Sequence, residues 1–175
     1  FARKYKDLAV LHIVAHAYLR DGYDGEYYSH AAALPRGIDH KNVSVYSFGI
    51  RNISASEIPF LEANGNRVKI WWGRDKAKWD MKEIAKIFKG RDVYVTFDID
   101  GFDASLIPAT GTPEPGGLFW DDAMTLIRTV AEVSNFVGAD VNELAPQKGM
   151  HGCDFLAAKL AYKILNYAFL VSKKK

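Results

Sequence analysis

Residues 93–103 read VYVTFDIDGFD, and this stretch decides the architecture of the chain. Its apolar beginning predicts a buried strand over Val93 to Phe97, and Gly101 then allows an immediate turn. Because the side chains of a strand alternate between its faces, Asp98 and Asp100 are expected on the same side. Two neighbouring carboxylates at a buried strand end repel each other and lose hydration, and a hard divalent cation would relieve both costs. An Asp-Gly turn with a helix-capping Asp nearby explains the same residues without a metal, and both interpretations stand at this point.

Apolar and amphipathic runs alternate along the rest of the chain. The predicted strands cover residues 8–14, 43–50, 67–72, 93–97 and 135–141, and the predicted helices cover residues 54–64, 80–88, 120–133 and 154–170. This alternation is typical of an α/β protein in which a mainly parallel sheet is covered by helices on both faces. Ligands of such sheets bind beyond the carboxyl ends of the strands, and His16, Asp98 and Glu143 each lie at or just after such an end.

Composition narrows the classes of function. With 175 residues, 49% hydrophobic and 25% charged, residues 1–175 are expected to form a single globular domain. The formal net charge of +2 is too small to indicate a nucleic-acid partner, and residues 173–175, all lysine, predict a solvated tail. The single cysteine, Cys153, excludes an internal disulfide and favours a reducing compartment, so a cytoplasmic location is expected. No apolar run reaches membrane-spanning length, so no membrane partner is expected.

Two adjacent segments resemble a known family. Residues 95–103 read VTFDIDGFD, and residues 107–118 read IPATGTPEPGGL. Together they resemble the paired motifs of the ureohydrolases, the family that contains arginase and agmatinase. The match is long and includes uncommon residues at fixed spacing, and its loops are more similar to agmatinase than to arginase.

Three further segments extend this resemblance. Residues 138–146, GADVNELAP, resemble the family's later strand end that carries a Glu, and residues 13–18, IVAHAY, align with its Asp-Ala-His-x-Asp metal motif. Ser29 and His30 are similar to its Ser/Asp-His-Gly loop. The resemblance covers nearly the whole chain but only the C-terminal part of the family fold. It therefore implies an arginase/deacetylase-like three-layer α/β/α domain, incomplete at its N-terminal side.

The resemblance also implies a chemistry. Family members hold two manganese ions beyond the strand ends, and a hydroxide that bridges them attacks a guanidinium carbon and releases urea. Asp98 would bridge both metals, and Asp100 and His16 would bind one of them. Glu143 would accept hydrogen bonds from the substrate guanidinium, and His30 would shuttle a proton. The implied substrate is a small cationic guanidino compound, with agmatine favoured, giving putrescine and urea. The implied assembly is a homo-oligomer, a trimer or a hexamer.

Two positions depart from the family's metal motif. Val14 stands where the family has an Asp that bridges both metals, and Tyr18 stands where it has an Asp bound to one. The Gly-Gly-Asp-His segment that carries another family ligand does not occur in the sequence either. Because metal affinity depends on ligand number and charge, the chain as written is expected to bind at most one Mn²⁺ weakly and to hydrolyse poorly. The alternative is a catalytically inactive relative that serves as a binding or assembly subunit.

Two other features leave testable expectations. The loop of residues 21–29 is rich in tyrosine and acidic residues. It could recognise the far amine of a cationic substrate through carboxylates and ring faces, or it could be a solvated surface loop. The last predicted helix carries an apolar stripe that is expected to lie in the core, namely Phe155, Leu156, Leu160, Ile164, Leu165, Ala168 and Phe169.

Overall fold

One parallel sheet organises the structure, a computed structural model that describes residues 1–172. Its strands are β1 (Leu8–Ile13), β2 (Val43–Ile50), β3 (Val68–Trp72), β4 (Asp92–Asp98) and β5 (Asn135–Asn142). They lie in the order β3-β2-β1-β4-β5, and every neighbouring pair is parallel. The five predicted strands are confirmed, with no end differing by more than one residue. Since all strands run the same way, the segments after β1, β4 and β5 meet at one edge of the sheet.

Five α-helices accompany these strands. They are α1 (Ala33–Ile38), α2 (Ile58–Ala63), α3 (Met81–Phe88), α4 (Trp120–Ala131) and α5 (His151–Asn166). Asp80 begins α3 as predicted, because its side chain accepts hydrogen bonds from the backbone N–H groups of Lys82 and Glu83. Helix α1 was missed, since its sequence contains Pro35 and Gly37, which are poor helix formers.

The side chains of β1 alternate between two hydrophobic clusters, as the period of a strand requires. Ala9, Leu11 and Ile13 belong to the larger cluster, which also contains residues of α3, α4 and α5. Leu8 and Val14 belong to the smaller cluster, which contains residues of α1 and contacts partly buried residues of α2. Helices therefore cover both faces of the sheet, and the predicted three-layer α/β/α architecture is confirmed.

The last helix buries only part of the predicted stripe: Leu160 and Ile164 lie in the core, and Leu156 and Ala168 pack against it. Its buried residues are Cys153, Ala157, Leu160 and Ile164, which repeat at helical spacing. Phe155 and Leu165 point elsewhere, with 71% and 53% of their surface exposed. Phe169, in the π-helical turn that follows α5, is also exposed. The expectation that these three side chains lie in the core is wrong, because α5 is apolar on more than one side and its sequence does not define a single face.

No helix within residues 1–172 is long and apolar enough to cross a bilayer. The predicted solvated lysine tail, residues 173–175, falls outside the described residues.

Candidate active site

Polar side chains collect where β1 and β4 end. These strands pair with Ile13 beside Phe97, so the segments that follow them leave the sheet side by side. Asp98 closes β4, and the 3₁₀ turn Ile99–Gly101 follows at once. This turn, rather than strand alternation, brings Asp100 next to Asp98, whose Oδ1 accepts the backbone N–H of Asp100 at 3.1 Å. The turn with a capping Asp, one of the two interpretations of the sequence, is present.

All carboxylate oxygens of the aspartate pair accept hydrogen bonds from the protein. Besides the turn bond, Oδ2 of Asp98 accepts the Tyr18 hydroxyl at 2.9 Å. Oδ1 of Asp100 accepts the backbone N–H of Ala15 at 2.9 Å, and Nδ1 of His16 donates to Oδ2 of Asp100 at 2.7 Å. Both aspartates are buried, with 4% and 1% of their surface exposed, so these bonds replace the hydration that the carboxylates lose.

Burial and neighbouring groups shift the pKa values of Asp98, His16 and Tyr18. Burial, together with the charge of Asp100, raises the pKa of Asp98 to about 8. The hydrogen bond to Asp100 raises the pKa of His16 above its usual value. Burial and the neighbouring Asp98 raise the pKa of the Tyr18 phenol, so this hydroxyl stays protonated and continues to donate.

The two positions that depart from the family motif have different surroundings. Val14 is fully buried in the smaller hydrophobic cluster. Tyr18 has a left-handed backbone, with φ of 51°, which is rare for a bulky residue. Its ring lies among three histidines, with centroids 6.1 Å from His12, 6.1 Å from His16 and 6.5 Å from His30. Val14 thus supplies packing, whereas Tyr18 supplies a hydrogen-bond donor to the aspartate pair.

Two adjoining cavities open at this edge of the sheet, with volumes of about 420 Å³ and 310 Å³. Tyr18, His30 and Glu143 line both of them. His16 lines the larger cavity, and Asp98 lines the smaller one. The structure therefore brings the sequence-predicted site residues together, except that Asp100 lies beneath the cavities and Val14 lies in the core.

Glu143 follows β5 in a strained conformation. Its side chain is exposed and its φ is 64°, a left-handed value that non-glycine residues seldom adopt. Such strain concentrates at functional sites, where the surrounding structure holds it in place.

One part of the tyrosine-rich loop, residues 21–29, faces the site, and the rest lies at the surface. Tyr23 lines the larger cavity, with the Arg20 guanidinium 5.1 Å from its ring centre. Tyr27 packs under the guanidinium of Arg36 at 3.4 Å, and Tyr28 is 82% exposed. Only the beginning of this loop faces the site.

Comparison with known proteins agrees with this geometry. A family model described as the arginase family matches residues 1–166. The chain belongs to the arginase family. It is 33% identical over 169 residues to an N(1)-aminopropylagmatine ureohydrolase of Synechocystis sp., covering 95% of this chain and 54% of that protein. It is 38% identical over 151 residues to an agmatinase of Bacillus anthracis, covering 83% of this chain and 49% of that protein.

A solved structure shows the same fold. Proclavaminate amidino hydrolase from Streptomyces clavuligerus superposes with a TM-score of 0.82 at 29% identity, covering 95% of this chain and 58% of that one. The chain thus spans about half the length of the curated relatives it matches. The predicted resemblance to the arginase and agmatinase family is confirmed.

Arg51 is a residue of this arginase-family site that the sequence analysis missed. Its guanidinium donates to the carbonyl oxygens of five residues at 2.7 to 3.1 Å: Gly49, Asp100, Phe102, Glu114 and Pro115. It therefore ties the end of β2 to the turn that carries Asp100 and to the loop of residues 114–115. The available signal was its position directly after a buried strand.

Two glutamates also lie at or beside the site. Glu57 is buried yet lines the larger cavity, where its carboxylate accepts the backbone N–H groups of Leu19 and Ser54. Oε1 of Glu114 lies 3.7 Å from Nε2 of His16 and accepts the side-chain amide of Asn52 at 2.7 Å.

The described residues do not fit the two-manganese centre that the family implies. Within residues 1–172, no group of three or more His, Cys, Asp and Glu side chains could hold a metal ion. The oxygens of Asp98 and Asp100 already accept hydrogen bonds, Val14 offers no donor atom, and the Tyr18 hydroxyl points its proton at Asp98. A hard cation requires several oxygen ligands, and the aspartate pair lacks the two further carboxylates that the family motif places at positions 14 and 18.

Proposed function

We propose that residues 1–175 form a single domain that corresponds to the C-terminal part of the arginase-family fold and binds a small guanidino compound. Agmatine is the favoured ligand, and the reaction class is hydrolysis to putrescine and urea. Three facts support this proposal: membership of the arginase family, the names of the relatives reported above, and the cavities at the carboxyl edge of the sheet.

Recognition of the guanidinium is assigned to Glu143. A carboxylate and a guanidinium match as two parallel hydrogen bonds, which makes the pair specific as well as strong. Glu143 stands exposed at the border of both cavities, directly after β5 and with a left-handed backbone. The rings of Tyr18 and Tyr23 add aromatic surface that attracts cations. This placement of Glu143 is the observation that carries the proposal.

Proton transfer is assigned to His30. Its ring lies in the wall shared by the two cavities, near the rings of Tyr18 and Tyr23 at 6.5 and 6.0 Å. An imidazole can both accept and donate a proton, and it can therefore pass one to a departing amine. Hydrolysis by this chain as written is expected to be slow or absent, because the described residues do not fit the metal centre.

A second candidate function is binding without hydrolysis, in which the chain acts as a binding or assembly subunit. The hydrogen bonds of Asp98 and Asp100 favour this candidate, since each of the four carboxylate oxygens already has a donor from the protein. Either candidate is proposed to work as a homo-oligomer, a trimer or a hexamer. A cytoplasmic location stays a prediction that the single cysteine favours.

Calorimetric titration of the chain with agmatine tests the proposal. Saturable binding is expected, and Glu143→Gln should weaken it at least about tenfold, because a charged hydrogen bond contributes roughly 1.5–3 kcal/mol. Glu62→Gln, an exposed glutamate outside both cavities, is the matched control and should bind as the native chain does. Equal binding by the Glu143→Gln variant would refute the assigned role.

A urea-release assay with agmatine and MnCl₂ separates the two candidates. Slow but measurable release that Glu143→Gln abolishes supports hydrolysis. Binding with no release above the uncatalysed rate supports the second candidate.

A further inference from the structure

We propose that Tyr18 and His16 replace the metal ions of this site, so that the Asp98–Asp100 pair is held by internal hydrogen bonds and takes no divalent cation. The inference rests on the proposed function only for the location of the site. It concerns how the chain stabilises two adjacent buried carboxylates, a problem that the family's relatives solve by other means.

The first argument is the geometry of the donors. Two of the four hydrogen bonds to the pair come from backbone N–H groups, those of Ala15 and Asp100. These donors belong to the segment after β1 and to the 3₁₀ turn after β4, so they cannot move aside without deforming both chain segments. They fix the orientation of both carboxylates, and the side chains of Tyr18 and His16 donate to the two remaining oxygens.

The second argument is the environment of Tyr18. Its hydroxyl occupies Oδ2 of Asp98, and its ring is confined among the rings of His12, His16 and His30. A cation that approached this oxygen would have to displace the whole phenol ring. The left-handed backbone of Tyr18 is a strain that the surrounding contacts sustain, which indicates a fixed rather than an adventitious position.

The third argument is the source of positive charge. The guanidinium of Arg51 is half-buried and interacts electrostatically with Asp100 and Asp98. It donates to the carbonyl oxygen of Asp100 at 2.7 Å, so this permanent cation lies in the immediate surroundings of the pair. Arg51 and the imidazole of His16 supply the compensation that a bound ion would otherwise give.

The fourth argument is Val14. Its side chain is fully buried among apolar residues such as Leu34 and Ile38, which belong to α1. A carboxylate at this position would be a ligand, but the valine instead extends the hydrophobic cluster up to the aspartate turn. Packing on one side and hydrogen bonds on the other therefore close the place where an ion would sit.

Manganese binding by the whole chain tests this inference directly. Electron paramagnetic resonance of free Mn²⁺ and calorimetric titration with MnCl₂ should show no binding up to about 1 mM, a weak limit beside ordinary protein metal sites. The double variant Val14→Asp/Tyr18→Asp should bind Mn²⁺ and should rise in Tm when manganese is added. Tyr23→Asp places a carboxylate in the same cavity without opening the pair, and this control should gain no binding.

Thermal unfolding supplies a readout that does not need the double variant to fold. Tyr18→Phe leaves Oδ2 of Asp98 without its donor and should lower Tm by about 3 °C in the absence of metal. Tyr162→Phe, whose side chain is exposed on α5, should leave Tm unchanged. An unchanged Tm for Tyr18→Phe, or one Mn²⁺ bound per native chain with a Kd below about 0.1 mM, would overturn the inference.

The result of the manganese test does not depend on whether the chain binds agmatine. Agmatine binding together with tight manganese binding would refute this inference but leave the proposed function intact. Absence of both would refute the proposed function and support the inference.

Discussion

Replacement of Arg51 by methionine should destabilise the chain more than removal of any surface arginine. The guanidinium donates to the carbonyl oxygens of residues 49, 100, 102, 114 and 115, and these belong to three separate segments. Methionine keeps much of the aliphatic stem but donates no hydrogen bond. The carbonyl oxygens of residues 49, 100 and 102 would lose this part-buried donor, whereas that of Glu114 would keep the backbone N–H of Ala104 at 3.3 Å.

The magnitude follows from these contacts. A hydrogen bond from a charged group contributes roughly 1.5–3 kcal/mol when lost, but Arg51 is only half-buried and water can reach some of the carbonyl oxygens. We therefore expect a loss of about 3–4 kcal/mol in the free energy of unfolding. Arg51→Lys keeps the charge but cannot reproduce the planar fork, and should lose about 2 kcal/mol.

Urea denaturation followed by circular dichroism measures these values. The matched control is Arg128→Met, because Arg128 is exposed on α4 and its ion pair within residues 1–172 is with Glu132, four residues along the helix. Such a pair contributes less than about 0.5 kcal/mol. If Arg51→Met loses no more stability than the control, then the carbonyl contacts do not hold the aspartate turn and the reasoning fails. If Arg51→Met does not fold, the lysine variant gives the graded comparison.

Two further predictions concern a buried histidine and a pair of glycines. Burial lowers the pKa of His12 to about 4, so protonation of this side chain favours the unfolded chain. The shift contributes about 3 kcal/mol to the free energy of unfolding above pH 6.5, and this contribution is lost as the pH falls towards 4. The free energy of unfolding of His12→Gln, measured in urea, should therefore change less between pH 7.5 and 4.5 than that of the native chain. Equal changes in the two proteins would contradict this prediction. Gly117→Ala should cost more than about 2 kcal/mol, because its Cβ would lie 2.6 Å from the backbone of residues 102 and 103. Gly37→Ala, in helix α1 with no atom within 4 Å, should instead stabilise by up to about 1 kcal/mol, and the reverse order in thermal denaturation would contradict the packing described.

Much of the fold follows from sequence because apolar runs of strand length alternate with amphipathic helices. Buried parallel strands need nearly continuous apolar residues, and β1, β2 and β4 have them. The pattern fails where local preference and tertiary structure disagree. Helix α1 forms despite Pro35 and Gly37, since Leu34 and Ile38 bury against the sheet. The exposed face of α5 could not be predicted, because its apolar residues surround the helix.

The site, like the fold, has a part that the sequence predicts and a part that it does not. Parallel strands deliver their carboxyl ends to one edge, so the meeting of His16, Asp98 and Glu143 could be predicted from the order of strands and polar residues. The bond between Tyr18 and Asp98 joins residues 80 positions apart and depends on a left-handed backbone and a particular side-chain rotamer. No local pattern encodes such a contact. Arg51 was missed for the same reason, because its partners are carbonyl oxygens, which every residue carries.

The most direct test of the account is a crystal structure of the chain grown with agmatine and manganese, with anomalous diffraction recorded for the metal. We predict that Oη of Tyr18 stays within hydrogen-bonding distance of Asp98, that no anomalous peak lies beside Asp98 or Asp100, and that the guanidinium contacts Glu143. A manganese peak coordinated by both aspartates, with the Tyr18 ring displaced, would contradict it.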